Sequence, residues 1–162
     1  MAATYEPIST NTLTTSTASV TFSSIPNTYT DLILIINAAS SSAASCRLRF
    51  NSDTGTNYSD TRLYGDGTSA TSDRLTTRDH INCGDLSVTT ITSNQIINIM
   101  NYTNTSTYKT VLTRSNIASS YVFLNTSMWR ATPAAITSIT IFPASGNLVS
   151  GSTFTLYGIK AA

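Results

Sequence analysis

The 162 residues are enough for one domain that buries about two thirds of its unfolded surface without a disulfide or a metal. Charged residues make up only 10% of the chain, and nine Lys and Arg nearly balance eight Asp and Glu, which argues against a nucleic-acid partner. Ser, Thr and Asn fill about two fifths of the sequence, yet 40% is hydrophobic and falls in short runs, which excludes a disordered or mucin-like chain.

Short apolar runs and alternating patterns predict strands along the whole chain. Leu32–Ile36 is apolar on both faces, so it should form a central strand that is covered on both sides. In the next strand Leu48 and Phe50 alternate with Arg47 and Arg49, which is typical of a half-buried strand. The predicted strands are Asn11–Thr14, Ala18–Ser23, Asp31–Ala38, Ser45–Asn51, Arg62–Gly65, Asp79–Cys83, Gln95–Asn101, Tyr108–Arg114, Val122–Arg130, Ile136–Phe142 and Thr153–Ile159.

The composition and the spacing of strands and turns predict an all-β fold. Residues that suit a pleated surface are frequent, while the residues that fill exposed helix faces are few. We predict a single domain over residues 1–162, an antiparallel two-sheet β-sandwich of the jelly-roll type. An immunoglobulin-like sandwich is the alternative topology.

Two segments stand out from the regular strand pattern. An N-terminal arm of about residues 1–16 contains Pro7, which interrupts strand pairing, so the arm either lies on a neighbouring subunit or is a first strand with a frayed end. Residues 52–85 form a long polar excursion with six of the eight carboxylates, four of the seven glycines and the single histidine, His80. Long ordered excursions of this kind are commonly functional surfaces.

The sequence gives little support to enzymatic chemistry, and we expect no enzyme and no cofactor. A nucleophile triad needs a histidine that takes the proton of a reactive serine. His80 is the single histidine, and the chain has no Gly-x-Ser-x-Gly elbow that would present such a serine. A glycosidase pair such as Asp60 and Asp66 is conceivable, although turns account for carboxylates beside Gly, Ser and Thr. Gly65-Asp-Gly67 lacks the residues of a phosphate-binding loop.

The acidic series in residues 52–85 leaves a structural cation open. Asp53, Asp60, Asp66, Asp73, Asp79 and Asp85 recur every six or seven residues, and carboxylate oxygens are ligands for calcium. The spacing is looser than in a calcium loop, and Arg62, Arg74 and Arg78 are available to pair with these carboxylates instead.

The N-terminus has neither a basic start nor an apolar run, which predicts no signal peptide and synthesis in a host cytoplasm. Cys46 and Cys83 are then expected as two thiols rather than a disulfide. The longest apolar run, Leu32–Ile36, is too short to cross a bilayer, so we expect no membrane partner.

Aromatic residues permit two interpretations. Flat rings could form a platform for carbohydrate, but aromatic residues in or beside strands are also explained by core and cross-strand packing. The residues concerned are Tyr58, Tyr64, Tyr102, Tyr108, Tyr121 and Trp129.

Several segments resemble a family of small structural proteins of tailed bacteriophages, including cyanophages. These segments are Thr4–Ile8, Ser19–Ile35, Arg47–Tyr58, Asn98–Thr105, Ser127–Thr132 and Ala144–Ala161. The resemblance covers nearly the whole chain except Asp60–Thr92, and it rests on framework strands and turns.

The resemblance implies a non-enzymatic virion protein with a β-sandwich or jelly-roll body. It would be a capsid cement or decoration protein on the capsid surface, commonly a homotrimer, with the major capsid protein as its partner. The alternative is a tail or head fibre module that binds a host-surface glycan. The N-terminal arm supplies the candidate partner-contact residues, which are Ala2, Ala3, Thr4, Tyr5, Glu6, Pro7 and Ile8.

Overall fold

The computed structural model describes residues 4–91, 93–118 and 121–160, and within these ranges the chain forms twelve strands and no helix. The all-β prediction is therefore confirmed. No helix in the described ranges is long and apolar enough to span a bilayer. The strands are β1 (Tyr5–Thr12), β2 (Val20–Phe22), β3 (Asp31–Ser40), β4 (Ala44–Phe50), β5 (Tyr58–Gly65), β6 (Ala70–Arg78), β7 (Ile81–Val88), β8 (Ser93–Ile99), β9 (Lys109–Ile117), β10 (Val122–Trp129), β11 (Ile139–Pro143) and β12 (Thr153–Ile159).

Hydrogen bonding joins the twelve strands into one mixed sheet. Its main path runs β2-β11-β4-β7-β3-β8-β9-β10-β5-β6, and β12 pairs with both β1 and β3. The prediction of a purely antiparallel fold is wrong at one pair, because β3 and β7 run parallel. Residues 31–38 of β3 pair with β12 and β8, whereas Ala39 and Ser40 extend past them to pair with β7.

The predicted central strand is confirmed in β3. Leu32, Leu34 and Ile36 have no exposed surface, and Ile33 on the opposite face is also buried. Leu32, Leu34 and Ile36 share one apolar core with residues of β4 and β11, such as Leu48 and Ile141. Burying several large aliphatic side chains contributes about 1.5–3 kcal/mol each, so this region dominates the stability of the fold.

The inner face of the sheet becomes polar with distance from β3. One row of directly paired residues runs from Leu34 on β3 through Ile97, Thr113 and Asn125 to Arg62 on β5. The first two side chains are aliphatic, the next two are polar and fully buried, and the last is charged. The core is thus aliphatic under β3, and it gains buried polar side chains under β9, β10 and β5.

A buried carboxylate anchors the polar region. Asp60 is 1% exposed, and its Oδ1 accepts hydrogen bonds from Ser127 Oγ at 2.7 Å and from Asn125 Nδ2 at 3.2 Å. Asn125 Nδ2 also donates to the carbonyl of Asn82 on β7 at 2.8 Å. This network links β5 and β10 to a strand on the other side of the core.

Two segments form more strand than their sequences indicate. Residues 5–12 pair with β12 despite Pro7, because a register shift between Pro7 and Ser9 accommodates the proline. Residues 58–65 and 70–78, inside the predicted excursion, form an antiparallel pair, and β5 pairs with β10 on its other side. Strong pairing partners thus override weak local signals.

Candidate ligand-binding cleft

A polar cleft of about 500 Å³ opens between the β5–β6 turn, β10 and the paired strands β4 and β7. This volume falls in the range of small-molecule sites. Its walls include Arg62, Tyr64, Asn82, Asp85 and Tyr121. The cleft therefore combines aromatic rings, a carboxylate, an amide and a guanidinium group.

Two tyrosines form the aromatic part of the cleft. The rings of Tyr64 and Tyr121 lie 6.3 Å apart, tilted by 54°. Both side chains are half-buried. The Tyr121 hydroxyl donates a hydrogen bond to a carboxylate oxygen of Asp85, which fixes that ring against β7. The Tyr64 hydroxyl has no hydrogen-bond partner within the described ranges, so it is available to a ligand.

Protein contacts also hold the charged side chains of the cleft in place. Arg62 Nε donates to Asp73 Oδ1 at 2.6 Å, and its Nη2 donates to the second oxygen, giving a bidentate pair. The ion pair raises the pKa of Arg62 and lowers that of Asp73. A guanidinium held in this way presents its remaining N–H groups in a fixed direction.

Asp66 closes the β5–β6 turn at the rim of the cleft. Its Oδ1 accepts hydrogen bonds from the backbone N–H groups of Ser69 at 2.7 Å and Thr68 at 2.9 Å. These hydrogen bonds hold the pKa of Asp66 well below its usual range, so the carboxylate is charged. The prediction that turns use these aspartates is confirmed here.

Backbone geometry brings β7 unusually close to β9 behind the cleft. Gly84 has a φ of +92°, and a Cβ at this position would lie 1.9 Å from Ser115 Oγ. Asn82 Oδ1 accepts a hydrogen bond from the Gly84 N–H at 2.8 Å. Asn82 also lines the cleft, on the same strand as Asp85.

The acidic residues that could share a cation are held apart in the structure. Asp53 accepts a hydrogen bond from Trp129 Nε1 at 2.7 Å, Asp79 binds Arg49, and Asp85 binds Tyr121. Within the described ranges no three His, Cys, Asp or Glu residues come together in a way that could hold a metal ion. Pairing with arginine, as predicted for Arg62, is confirmed at Asp73.

The predicted aromatic platform separates into two groups. Tyr58, Tyr102 and Trp129 are buried in the core, and Tyr58 and Trp129 stack with ring centres 6.4 Å apart. Tyr64 and Tyr121 line the cleft, whereas Tyr108 is 52% exposed and does not contribute to it. Core packing therefore accounts for three of the six aromatic residues, and two of the others lie together at the cleft.

His80 is buried beside a cluster of arginines. Its Nε2 accepts a hydrogen bond from Arg78 at 2.6 Å, and because arginine only donates, Nδ1 carries the proton and donates to Asp79 at 2.6 Å. Burial is the main cause that lowers the pKa of His80, so the ring is neutral. The two hydrogen bonds fix the orientation of the ring, which gives His80 a structural role.

The remaining predicted site residues lie elsewhere. Cys46 and Cys83 are free, buried thiols, as expected, and burial raises the pKa of Cys83. Ala2 and Ala3 lie outside the described residues. Thr4 is exposed at the start of β1, Tyr5 is 57% exposed, and Pro7 is exposed on the same strand.

The other two candidate contact residues on β1 have partners within the domain. Glu6 accepts hydrogen bonds from Lys160 at 2.8 Å and Tyr29 at 3.2 Å. The side chain of Ile8 packs on the core. β1 is therefore an edge strand rather than a free arm.

Sequence reasoning missed Arg62, Asn82 and Asp85 as parts of one cleft. Arg62 lies on β5, twenty residues or more before Asn82 and Asp85 on β7, and no local pattern connects it with them. Pairing of β5 with β10 and the packing of β7 across the core bring them together.

Comparison with protein-family models, with curated proteins and with solved structures gave no match to this chain.

Proposed function

We propose that this chain is a non-enzymatic structural protein of a tailed-phage virion, a cement or decoration protein on the capsid surface. In this proposal the mixed sheet is a two-sheet sandwich of the jelly-roll type, and the protein acts as a homotrimer bound to the major capsid protein. The resemblance of its framework segments to phage structural proteins supports the setting. Exposed apolar side chains on the outer face of the sheet support its association with other subunits.

That outer face is the observation that carries the proposal. Val122, Leu124 and Met128 on β10 are 64%, 42% and 39% exposed, although all three are large and apolar. Leu63 on β5 lies directly opposite Leu124 and is 50% exposed. An exposed apolar stripe on a soluble domain marks a surface that another protein covers.

The stripe continues onto the neighbouring strands. Arg114 on β9 is paired with Leu124 and lines two shallow grooves, one with Leu63 and Val122 and the other with Leu112 and Met100. We define the apolar stripe as Leu63, Met100, Leu112, Val122, Leu124 and Met128. Scarce charge and large side chains are typical of the centre of a subunit interface.

The edge strand β1 supplies a second contact in this proposal. Within the described ranges β1 pairs with β12 alone, which leaves its other edge open, and Tyr5 on this strand is 57% exposed. An open edge can pair with a strand of a neighbouring subunit. Several modest contacts of this kind add up when one protein touches several capsid subunits at once.

The proposal is tested by immunogold electron microscopy of phage particles that encode this chain. Gold spread evenly over the heads is the expected result. Gold confined to tails or fibre tips would contradict decoration and would favour the alternative, a fibre module. In parallel, virions that lack the protein should lose DNA at a lower temperature than wild-type virions, since a ligand bound only to the assembled shell stabilises it.

The role of the apolar stripe has its own test in light scattering after size-exclusion chromatography. We expect the wild-type chain to be trimeric and Leu124→Asp to be monomeric, because a buried unpaired carboxylate opposes association. Thr56→Asp, at an exposed loop position outside the stripe, is the matched control. A monomeric wild-type chain would contradict the proposal that the apolar stripe is a trimer contact.

A further inference from the structure

The cleft lined by Tyr64, Asp85 and Tyr121 has the chemistry of a binding site, and the virion proposal does not use it. It lies on the inner side of the sheet, whereas the apolar stripe lies on the outer side. The two features can therefore be tested independently. The nature of the ligand follows from three properties of the cleft walls.

The first property is flat apolar surface next to hydroxyl groups. Tyr64 and Tyr121 each present a ring and are only half-buried, and Phe123 adds an apolar floor. Sugars have one apolar face of C–H groups that packs on such rings, while their hydroxyls remain free to hydrogen-bond.

The second property is a set of fixed donors and acceptors beside the two tyrosines. Asp85 offers carboxylate oxygens, Asn82 offers an amide N–H, and Arg62 offers guanidinium N–H groups. Neighbouring hydroxyls of a sugar are donors and acceptors at once, so they match a carboxylate beside an N–H group. Because Tyr121 holds Asp85 and Asp73 holds Arg62, little side-chain freedom is lost on binding.

The third property is the sign of the charge. Asp66 and Asp85 line the cleft together with Arg62, and Arg62 is itself paired with Asp73, which leaves the cleft with more negative than positive charge. A phosphate, sulfate or uronic acid would meet repulsion from these carboxylates. The ligand is therefore neutral or an amino sugar.

We propose that this cleft binds an uncharged or amino-sugar unit of a glycan, stacked on Tyr64 and Tyr121 and hydrogen-bonded by Asp85, Asn82 and Arg62. The cleft volume of about 500 Å³ accommodates one sugar ring with the water around it. A single-ring site of this size binds weakly, and repeated copies on an assembled particle would raise the avidity.

Saturation-transfer difference NMR of the full chain tests the proposal. The probes are the methyl glycosides of glucose, galactose, mannose, N-acetylglucosamine and glucosamine, with methyl glucuronide as the acidic comparison. We expect transfer to the ring protons of at least one neutral or amino sugar, and none to the glucuronide. No transfer to any neutral or amino sugar would overturn the proposal, as would equal transfer to the glucuronide.

Variants then show whether the signal comes from the cleft. Tyr64→Ala and Asp85→Asn should each weaken binding by roughly tenfold or more, because each removes a contact worth about 1–2 kcal/mol. Tyr108→Ala removes an exposed tyrosine outside the cleft and should leave binding unchanged. Unchanged binding in both Tyr64→Ala and Asp85→Asn, with the fold intact by circular dichroism, would place the sugar elsewhere and contradict the proposal.

Discussion

The two halves of the sheet's inner face differ in the kind of side chain that they bury. Under β3 the side chains are aliphatic, as Leu34 and Ile97 show, and they need nothing but close packing. Under β9, β10 and β5 polar side chains join the core, and Asp60, Asn125 and Ser127 hydrogen-bond to one another. The aliphatic half supplies stability, and the polar half ties β5 and β10 to β7. Substitutions in the two halves should therefore have different signatures.

The largest effect is expected in the aliphatic half. Leu34→Ala should lower the free energy of unfolding by about 2–5 kcal/mol, because it removes buried surface and leaves a cavity where the sheet cannot collapse. Denaturant unfolding measures the change. Thr126→Ala, on the exposed outer face of β10, is the matched control and should change stability by less than about 0.5 kcal/mol. A similar cost for both variants would contradict the assignment of the core.

Gly84 connects the two sides of the core, and its substitution is the second test. Gly84→Ala should cost about 2–4 kcal/mol, since it combines a positive φ with a collision against Ser115 Oγ. Gly67→Ala is the control, because its φ is +89° but no atom lies within 4 Å of the added Cβ. The difference between the two in thermal unfolding measures how tightly β7 lies on β9. An equal loss of stability in the two variants would mean that the backbone strain of a positive φ accounts for the whole effect at Gly84.

A smaller effect is expected from the polar half. Ser127→Ala should cost about 1–3 kcal/mol, because it removes a hydrogen-bond donor from the buried carboxylate of Asp60. Thr113→Val offers the contrast. The Thr113 hydroxyl is buried without a hydrogen-bond partner in the described ranges, so its removal should be close to neutral. If denaturant unfolding gives both variants the same cost, the network is not what stabilises this half.

The smallest expected effect depends on pH. The pKa of His80 is lowered in the folded state, chiefly by burial, so below its ordinary value of 6.5 the unfolded chain takes up a proton that the folded chain does not. Stability should therefore fall as the pH drops from about 7 to about 5. His80→Gln should flatten this part of the profile in denaturant titrations at several pH values. An unchanged slope would show that another group is responsible.

The strands with strong local patterns were predictable. The apolar run Leu32–Ile36 indicated a central strand, and alternation at Leu48 and Phe50 indicated β4, because burial imposes those patterns directly. β6 was not predicted, since residues 70–78 are mostly polar and exposed and form a strand only through pairing with β5. Pro7 suggested an interrupted arm, yet one register shift absorbs it within β1.

The cleft was less accessible to sequence reasoning than the fold. The segment Asn125–Ser127 looks like a surface sequence, but its two end residues are buried and donate hydrogen bonds to Asp60 and Asn82. Tyr64 and Tyr121 were recognised as possible sugar contacts without any sign that they are neighbours. Contacts between distant strands decide such sites, and one sequence does not encode them in a local pattern.

The position of β12 has a consequence for the order of folding. This strand lies between β1 and β3, so residues from the beginning of the described chain find their partners only in residues 153–159. On the ribosome, the edge of β3 and the whole of β1 must wait until that last strand emerges. Pairings so distant in sequence fold slowly. Until then the nascent chain exposes an aliphatic strand with an open edge, which is a natural binding site for a chaperone.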